Sequence, residues 1–384
     1  MVLSQTLHPA LADPCVLLEQ ALQLRSLSGE ERACAEYLVE VMATVADAAF
    51  VDSAGNAVAE WGSGPLAITF LGHIDTVPGH IPVRREGNIL YGRGAVDAKG
   101  AMCTAIAAMA RLVSQRPELH SALRLRLIGA VEEEAPSSKG ARYALEHYPA
   151  ADMLIIGEPS GWNGLTLGYK GRLVAKLEQR KANFHSAGDD STAAADLAQA
   201  WQHLQHWAEQ VNAEQANTGQ QHGQASVFNA VQVALQSINS HSDGLMQQAE
   251  AVFGLRLPLH WPPERCEAAL RHIWQGLELE HIAFQGHEPA YRAPRDTVLS
   301  RAFRVSIRAQ GGQPRFKVKT GTSDMNVVAP HWQVPTLAYG PGDASLDHSP
   351  NEHIALGEYR QAIAVLQGAL EHLAAQPRSG TAGE

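Results

Sequence analysis

The chain has 384 residues, is 45% hydrophobic and 18% charged, and carries a formal net charge of −10. That length exceeds one ordinary core and predicts two domains, while the composition excludes a disordered or fibrous chain. The negative balance argues against nucleic acid as the main partner, because phosphate binding needs a cationic face.

The opening MVLSQTLHPALADPC lacks the basic and then apolar pattern of a secretory leader, and no apolar run approaches the roughly 18 residues of a membrane span. A cytoplasmic chain is therefore expected. The scattered Cys15, Cys34, Cys103 and Cys266 contain no C-x-x-C pair and read as reduced, buried thiols. Residues 16–45 predict helices, with Ser28 and Glu31 as a Ser-x-x-Glu helix start. The apolar run 66–72 predicts a strand that stops at His73. Gly92, Gly94 and Gly100 punctuate a loop, and 99–114, apolar on most sides, predicts a buried helix. LRLRLIGAV and DMLIIG predict two more strands, ending at Glu132 and Glu158. Strands and helices in alternation predict an α/β fold with its site at the carboxyl edge of the sheet.

From about residue 171 the pattern changes. RLVAKLEQRKA, SVFNAVQVAL, EAVFGLRLPL and LELEHIAFQ predict strands, and 190–211 and ERCEAALRHIWQG predict helices. Their βαββαβ order is ferredoxin-like. Helices near 296–309 and at 357–374 close the chain. The expected organisation is a catalytic α/β domain with a mixed sheet flanked by helices, in two parts (1–170 and 288–384). A ferredoxin-like domain (171–287) interrupts it.

Residues of metal-ligand type recur where strands end: His73 and Asp75, Asp97, Glu132-Glu133-Glu134, Glu158 and His348. Two divalent cations a few ångströms apart need one bridging carboxylate and mixed His/carboxylate ligands on each side. Taken singly, each residue also has a bland reading: a surface His–Asp pair, a solvated acidic helix start, or one of 18 histidines. Like charges after a strongly apolar strand point instead to a cation. In His73-Ile74-Asp75 the two polar residues share parity, so Asp75 can hold the His73 imidazole from behind.

GHIDTVPG, GRGAVDAKGAM, GAVEEEAPSSKGARY, IGEPSG and SLDHSPNEH resemble, in order, the five metal-site segments of a dinuclear zinc hydrolase family. That family includes acetylornithine deacetylase and succinyl-diaminopimelate desuccinylase. The resemblance implies that His73, Asp97 and Glu158 hold one ion and Asp97, Glu134 and His348 the other, with Asp97 as the bridge. It implies Glu133 as the general base, Asp75 as the carboxylate behind His73, and His185 as a donor to the reaction's oxyanion. The family usually has Asp where this chain has Glu132, which keeps Glu132 open as the alternative base. The implied cofactors are two divalent ions, Zn²⁺ or Co²⁺. The implied chemistry is amide hydrolysis, in which Glu133 takes a proton from an activated water and returns it to the leaving amine.

GHIPVRREGNILYGRGAVDAKG, IGEPSGWNGLTLGYKGR and KVKTGTSDMNVVAP are similar to the lysine-releasing branch of carrier-protein amino-acid biosynthesis. That resemblance implies a small acidic amino-group carrier protein as partner, with lysine (or ornithine) joined to its C-terminal glutamate. Substrate contacts at Asn229, Arg256, Thr322, Ser323 and Asp324, and a homodimer through the inserted domain, are implied by resemblance as well. The alternative is a deacetylase of N-acetyl-ornithine or N-acetyl-lysine, or a related aminoacylase or dipeptidase. Two basic stretches, 170–181 and 295–319, fit either steering of an acidic carrier or ordinary solvated faces.

Overall fold

Six consecutive residues at the end of strand Leu66–His73 are buried, so the strand reads as an apolar run rather than an alternating one. Such a strand belongs in the middle of a sheet covered on both faces. The computed structural model describes residues 7–185, 190–217 and 224–376. It places this strand between two parallel neighbours, Leu123–Ala130 and Met153–Gly157. The first seven strands of the mixed sheet run Ala48–Val51, Ala57–Trp61, Leu123–Ala130, Leu66–His73, Met153–Gly157, Thr336–Ala338 and Gly164–Tyr169.

The register matters for the site. His73 pairs with Ala130 and Gly72 with Gly157, so three parallel strands end level and deliver their next residues to one edge. Gly157 permits this closeness. A Cβ there would stand 2.6 Å from the Phe70 ring and 2.8 Å from the Gly72 Cα.

Helix Lys99–Gln115 buries 13 of its residues, as its small-residue sequence predicts, and packs against helices Pro14–Gln23 and Leu356–Ala374. Helix Val298–Ala309 is amphipathic and starts with a reciprocal cap between Thr297 and Ser300. It buries Leu299, Phe303 and Ile307 against Leu356–Ala374. Each such side chain removed from water contributes about 1.5–3 kcal/mol. Among the described residues, no helix is long and apolar enough to cross a membrane.

The chain divides into two units, 1–168 with 293–317 and 327–384, and 169–292 with 318–326. The second unit holds a four-stranded antiparallel sheet in the order Gln232–Ser242, Met246–Leu257, Gly171–Ala182, His281–Glu288. Numbered within the unit, that order is 2-3-1-4, the ferredoxin-like arrangement. Leu173, Ala175 and Leu177 are buried while Lys176 and Glu178 are exposed, the alternation of a sheet covered on one face. Helices Ala193–Asn217 and Pro263–Ile273 supply that cover through Leu197, Leu204 and Leu270.

Three local expectations change. The first half of SVFNAVQVAL is helical (Gln224–Asn229), and the strand begins only at Gln232. Ser28 and Glu31 form no capping box, because helix Arg32–Ala43 follows Glu31 with no side-chain cap and both side chains bond elsewhere. The segment with Thr322, Ser323 and Asp324 groups with the second unit rather than with the rest of 288–384.

Candidate metal centre

Because the three parallel strands end level, His73, the 131–134 turn and Glu158 emerge side by side. Asp97 joins them from the loop ahead of helix Lys99–Gln115, and His348 from the loop after Ala344–Leu346. Two groups of potential ligands share Asp97: His73–Asp97–Glu158 and Asp97–Glu134–His348, each with its atoms within 4.8 Å. The two oxygens of Asp97 face different imidazoles. Oδ1 lies 3.2 Å from His73 Nε2, and Oδ2 lies 3.1 Å from His348 Nε2. Glu134 Oε1 is 2.8 Å from His348 Nε2, and Glu158 Oε1 is 3.9 Å from His73 Nε2. Glu133 Oε2 stands 4.0 Å from His73 Nε2 and belongs to neither group that shares Asp97.

The electrostatics ask for cations. These two groups, with a third made of His73, Glu133 and Glu134, bring four carboxylates (Asp97, Glu133, Glu134, Glu158) together with two imidazoles. Like charges about 4.8 Å apart repel by roughly 3 kcal/mol at an effective dielectric near 20. Hydrogen bonds to Asp97 and Glu134 push His348 up to about 10. Burial alone would lower His73, yet bonds to Asp75 and Asp97 and the charge of Glu133 hold it well above its ordinary value. Imidazole nitrogens and carboxylate oxygens at these separations suit zinc-like divalent ions.

Asp75 organises the edge. Its Oδ1 lies 3.3 Å from His73 Nδ1, whose nearer acceptor is the Asp75 carbonyl at 3.0 Å. A proton on Nδ1 leaves the Nε2 lone pair for a metal. Asp75 also accepts the N–H groups of Glu133 (3.1 Å) and Glu134 (3.0 Å) and the Ser28 hydroxyl (2.7 Å). Burial works against its charge, but the bonds from His73, Ser28 and Glu134 hold its carboxyl below the usual range. Glu132 faces away. It has a left-handed backbone (φ 57°), accepts from Ser137 at 2.7 Å and lies 3.5 Å from Lys139.

Sequence reasoning missed Ser28, Glu31, Arg93 and Glu352. Glu31 Oε1 accepts the N–H of Glu132 at 3.0 Å and of Gly29 at 2.8 Å, and burial raises its carboxyl. Glu352 is fully buried beneath the Asp97 loop. Ser28 and Glu31 lie in SGEE, Arg93 in GRG and Glu352 in NEH, and nothing local in those strings assigns them.

The remaining expected site residues lie in the second unit. Arg256 donates to Thr322 Oγ1 at 2.6 Å, and Thr322 donates to the Lys170 carbonyl at 3.2 Å. Lys170 donates to the carbonyls of Val227 and Ala230, on either side of Asn229. Burial, with the Arg256 charge, lowers Lys170 to about 8. The backbone of Ser323 bonds Asn326 Oδ1, and Asp324 is buried at the start of helix Asp324–Trp332. His185 is exposed.

The basic stretches are only partly available. Lys170 is buried, Arg172 pairs with Glu288 at 3.1 Å, Lys181 pairs with Asp196 at 2.6 Å, and Lys317 donates to the Ser160 carbonyl at 2.7 Å. Lys176, Arg180, Arg301, Arg308 and Arg315 are exposed.

A mixed α/β sheet with a His/carboxylate cluster at its carboxyl edge defines a metallohydrolase scaffold. Residues 69–372 match the model of Peptidase family M20/M25/M40, and the chain belongs to that family, whose members bind two metal ions. It is 55% identical over 359 residues to a LysW-lysine hydrolase of Deinococcus radiodurans, covering 93% of this chain and 96% of that protein. It is 28% identical over 310 residues to a LysW-lysine/LysW-ornithine hydrolase of Sulfurisphaera tokodaii, covering 80% and 81%. In fold it is similar to an M20 family metallo-carboxypeptidase from Sulfolobus solfataricus. The TM-score is 0.78 at 18% identity, over 95% of this chain and all of that one.

Proposed function

We propose that the chain hydrolyses the isopeptide amide between lysine and the C-terminal glutamate of a small acidic carrier protein, releasing the free amino acid. The 55% identity to the LysW-lysine hydrolase of Deinococcus radiodurans, over nearly the full length of both chains, carries this reading. The site supports it with two ligand groups that share one carboxylate. In the proposed arrangement His73, Asp97 and Glu158 hold one ion and Asp97, Glu134 and His348 the other. Zn²⁺ is the preferred ion, and Co²⁺ suits the same donors.

When bound, such ions polarise an amide carbonyl and lower the pKa of water. The chain's own residues supply the rest. Asp75 pins the backbone N–H of Glu133 at 3.1 Å and so aims its carboxylate over the site. Glu133 takes a proton from water at its side-chain oxygen and later gives it to the leaving amine. In this reading Asn229, Arg256, Thr322, Ser323 and Asp324 meet the substrate, and His185 donates to the oxyanion. An arginine forks readily onto a carboxylate such as that of glutamate or lysine.

The second unit, taken as the inserted domain, presents an 11-residue edge strand, Gln232–Ser242, with Leu235 and Ile238 exposed. Pairing of this edge with a second copy makes the homodimer. The work of the enzyme belongs to the cytoplasm.

The test is turnover by the metal-replete chain on two substrates, lysine linked to its carrier and free N-acetyl-lysine or N-acetyl-ornithine. A kcat/KM at least tenfold higher for the carrier-linked form is expected. A preference for the free acyl amino acids would replace this reading with a small-molecule deacetylase.

A further inference from the structure

The Asp97 loop wraps around a buried carboxylate that lies four residues past His348. Glu352 Oε1 accepts three backbone N–H groups, from Gly94 (3.0 Å), Val96 (2.9 Å) and Asp97 itself (3.1 Å). Its Oε2 takes the Arg93 guanidinium at 2.8 Å, and the Gly92 N–H donates to its carbonyl at 3.3 Å. Arg93 in turn donates to the Ser349 carbonyl at 3.2 Å and the Gly79 carbonyl at 3.3 Å. The Glu352 side chain is buried, and among the described residues it joins none of the metal-ligand groups.

A fully buried carboxylate is tolerated only when its lone pairs are met, and here four donors meet them. The bonds all run between two loops, 92–97 and 349–352. One loop carries Asp97 and the other follows directly on His348. The two groups face each other at 3.1 Å. His73 and Glu158, by contrast, stand at strand ends whose positions the sheet ladder sets.

We infer that Glu352, braced by Arg93, is a positioning residue that sets the spacing between Asp97 and His348. It thereby governs affinity for the ion held by Asp97, Glu134 and His348. The ion held by His73, Asp97 and Glu158 depends on it far less, because the sheet supplies two of its three ligands. The inference rests on the two-ion reading proposed above.

Glu352→Gln keeps the shape and one acceptor oxygen but turns an amide toward either Arg93 or the three backbone N–H groups. Donor then faces donor. Removing a bond that orients a ligand costs about 10- to 100-fold in metal affinity.

The experiment strips the full chain with a chelator and titrates Zn²⁺ back by calorimetry, with elemental analysis of the dialysed protein. Two ions in the unsubstituted chain test the two-ion reading by itself. In Glu352→Gln one ion should bind with unchanged affinity and the other about 10- to 100-fold more weakly. Arg93→Gln, which leaves the three backbone bonds in place, should weaken the same ion by less, and it decides the matter if Glu352→Gln does not fold. In a His348→Ala background Glu352→Gln should remove no further metal, because the affected position is already lost. Equal weakening of both ions, unchanged binding of both, or further loss in the His348→Ala background would overturn the inference.

Discussion

Asp75→Asn tests the hub of the site, and its consequences can be worked out bond by bond. The wild-type carboxylate is fully buried. Oδ1 accepts the Glu133 N–H and faces His73 Nδ1, while Oδ2 accepts the Ser28 hydroxyl and the Glu134 N–H. An amide has only one oxygen to offer these partners. With its NH₂ at the Oδ2 position it opposes the Glu134 N–H, although Ser28 can turn to accept. With its NH₂ at the Oδ1 position it opposes the Glu133 N–H and draws the His73 proton onto Nε2, the nitrogen that faces Asp97. In either orientation one partly buried backbone donor loses its partner, which costs up to about 1–3 kcal/mol. Denaturant unfolding of the metal-free variant should show that loss, and a Zn²⁺ titration should show affinity reduced about 10- to 100-fold. Because the Asp75 carboxyl is held below its ordinary 3.8, its contribution is complete above that pH and fades as pH falls through the lowered value. The gap between the two proteins should therefore narrow in acid. Ser28→Ala is the control: it removes one donor and strands no backbone group, so it should cost less. Asp75→Asn with unchanged stability and metal affinity, or with a loss no larger than Ser28→Ala, would mean that Asp75 does not organise the site.

Two other outcomes are expected. In the metal-free protein His348, raised to about 10 by Asp97 and Glu134, is protonated between about pH 7 and 9. The stabilisation this gives the metal-free fold is complete below pH 6.5 and is lost as pH rises through 10. An ion at its Nε2 must expel that proton, so metal affinity should rise with pH over this range. Calorimetry in buffers of different ionisation enthalpy should show about one proton fewer released in His348→Ala; equal release would contradict the ligand assignment. Arg308→Gln with Arg315→Glu, both exposed, should lower kcat/KM for the carrier-linked substrate about tenfold at low salt and leave N-acetyl-lysine unaffected. Equal effects on the two substrates would remove these residues from carrier steering.

The parts of the fold that were legible in the sequence share one property: burial or alternation wrote them directly into residue type. The apolar run that stops at His73 became the central strand Leu66–His73. The small-residue stretch after Asp97 became the enclosed helix Lys99–Gln115. His73, the Glu132–Glu134 run and Glu158 were visible because each follows an apolar run, whereas Asp97 and His348 stand on loops. What stayed hidden depends on partners far along the chain. Ser28-x-x-Glu31 has a sound local reading as a helix start, but Ser28 bonds Asp75, 47 residues away, and Glu31 bonds Glu132, 101 away. Arg93 and Glu352 meet across 259 residues. Val227 and Phe228 favour strand by propensity, yet lie in helix Gln224–Asn229, where Lys170 takes the Val227 carbonyl. Charge counting also misled. Lys170, Arg172 and Lys181 counted toward a basic stretch that both readings take as exposed, but one is buried and two are paired.

The proposed chemistry is two-ion amide hydrolysis with Glu133 as the proton carrier. Its most direct test is single-turnover hydrolysis of carrier-linked lysine by the metal-replete chain and by Glu133→Gln, with metal content measured on the same samples. Glu133 lies outside both ligand groups that share Asp97, so the variant should keep both ions and its fold. Its hydrolysis rate should fall by about two to four orders of magnitude, the contribution of a positioned general acid–base. A Glu133→Gln protein that holds two ions and turns over at near the normal rate would contradict the claim.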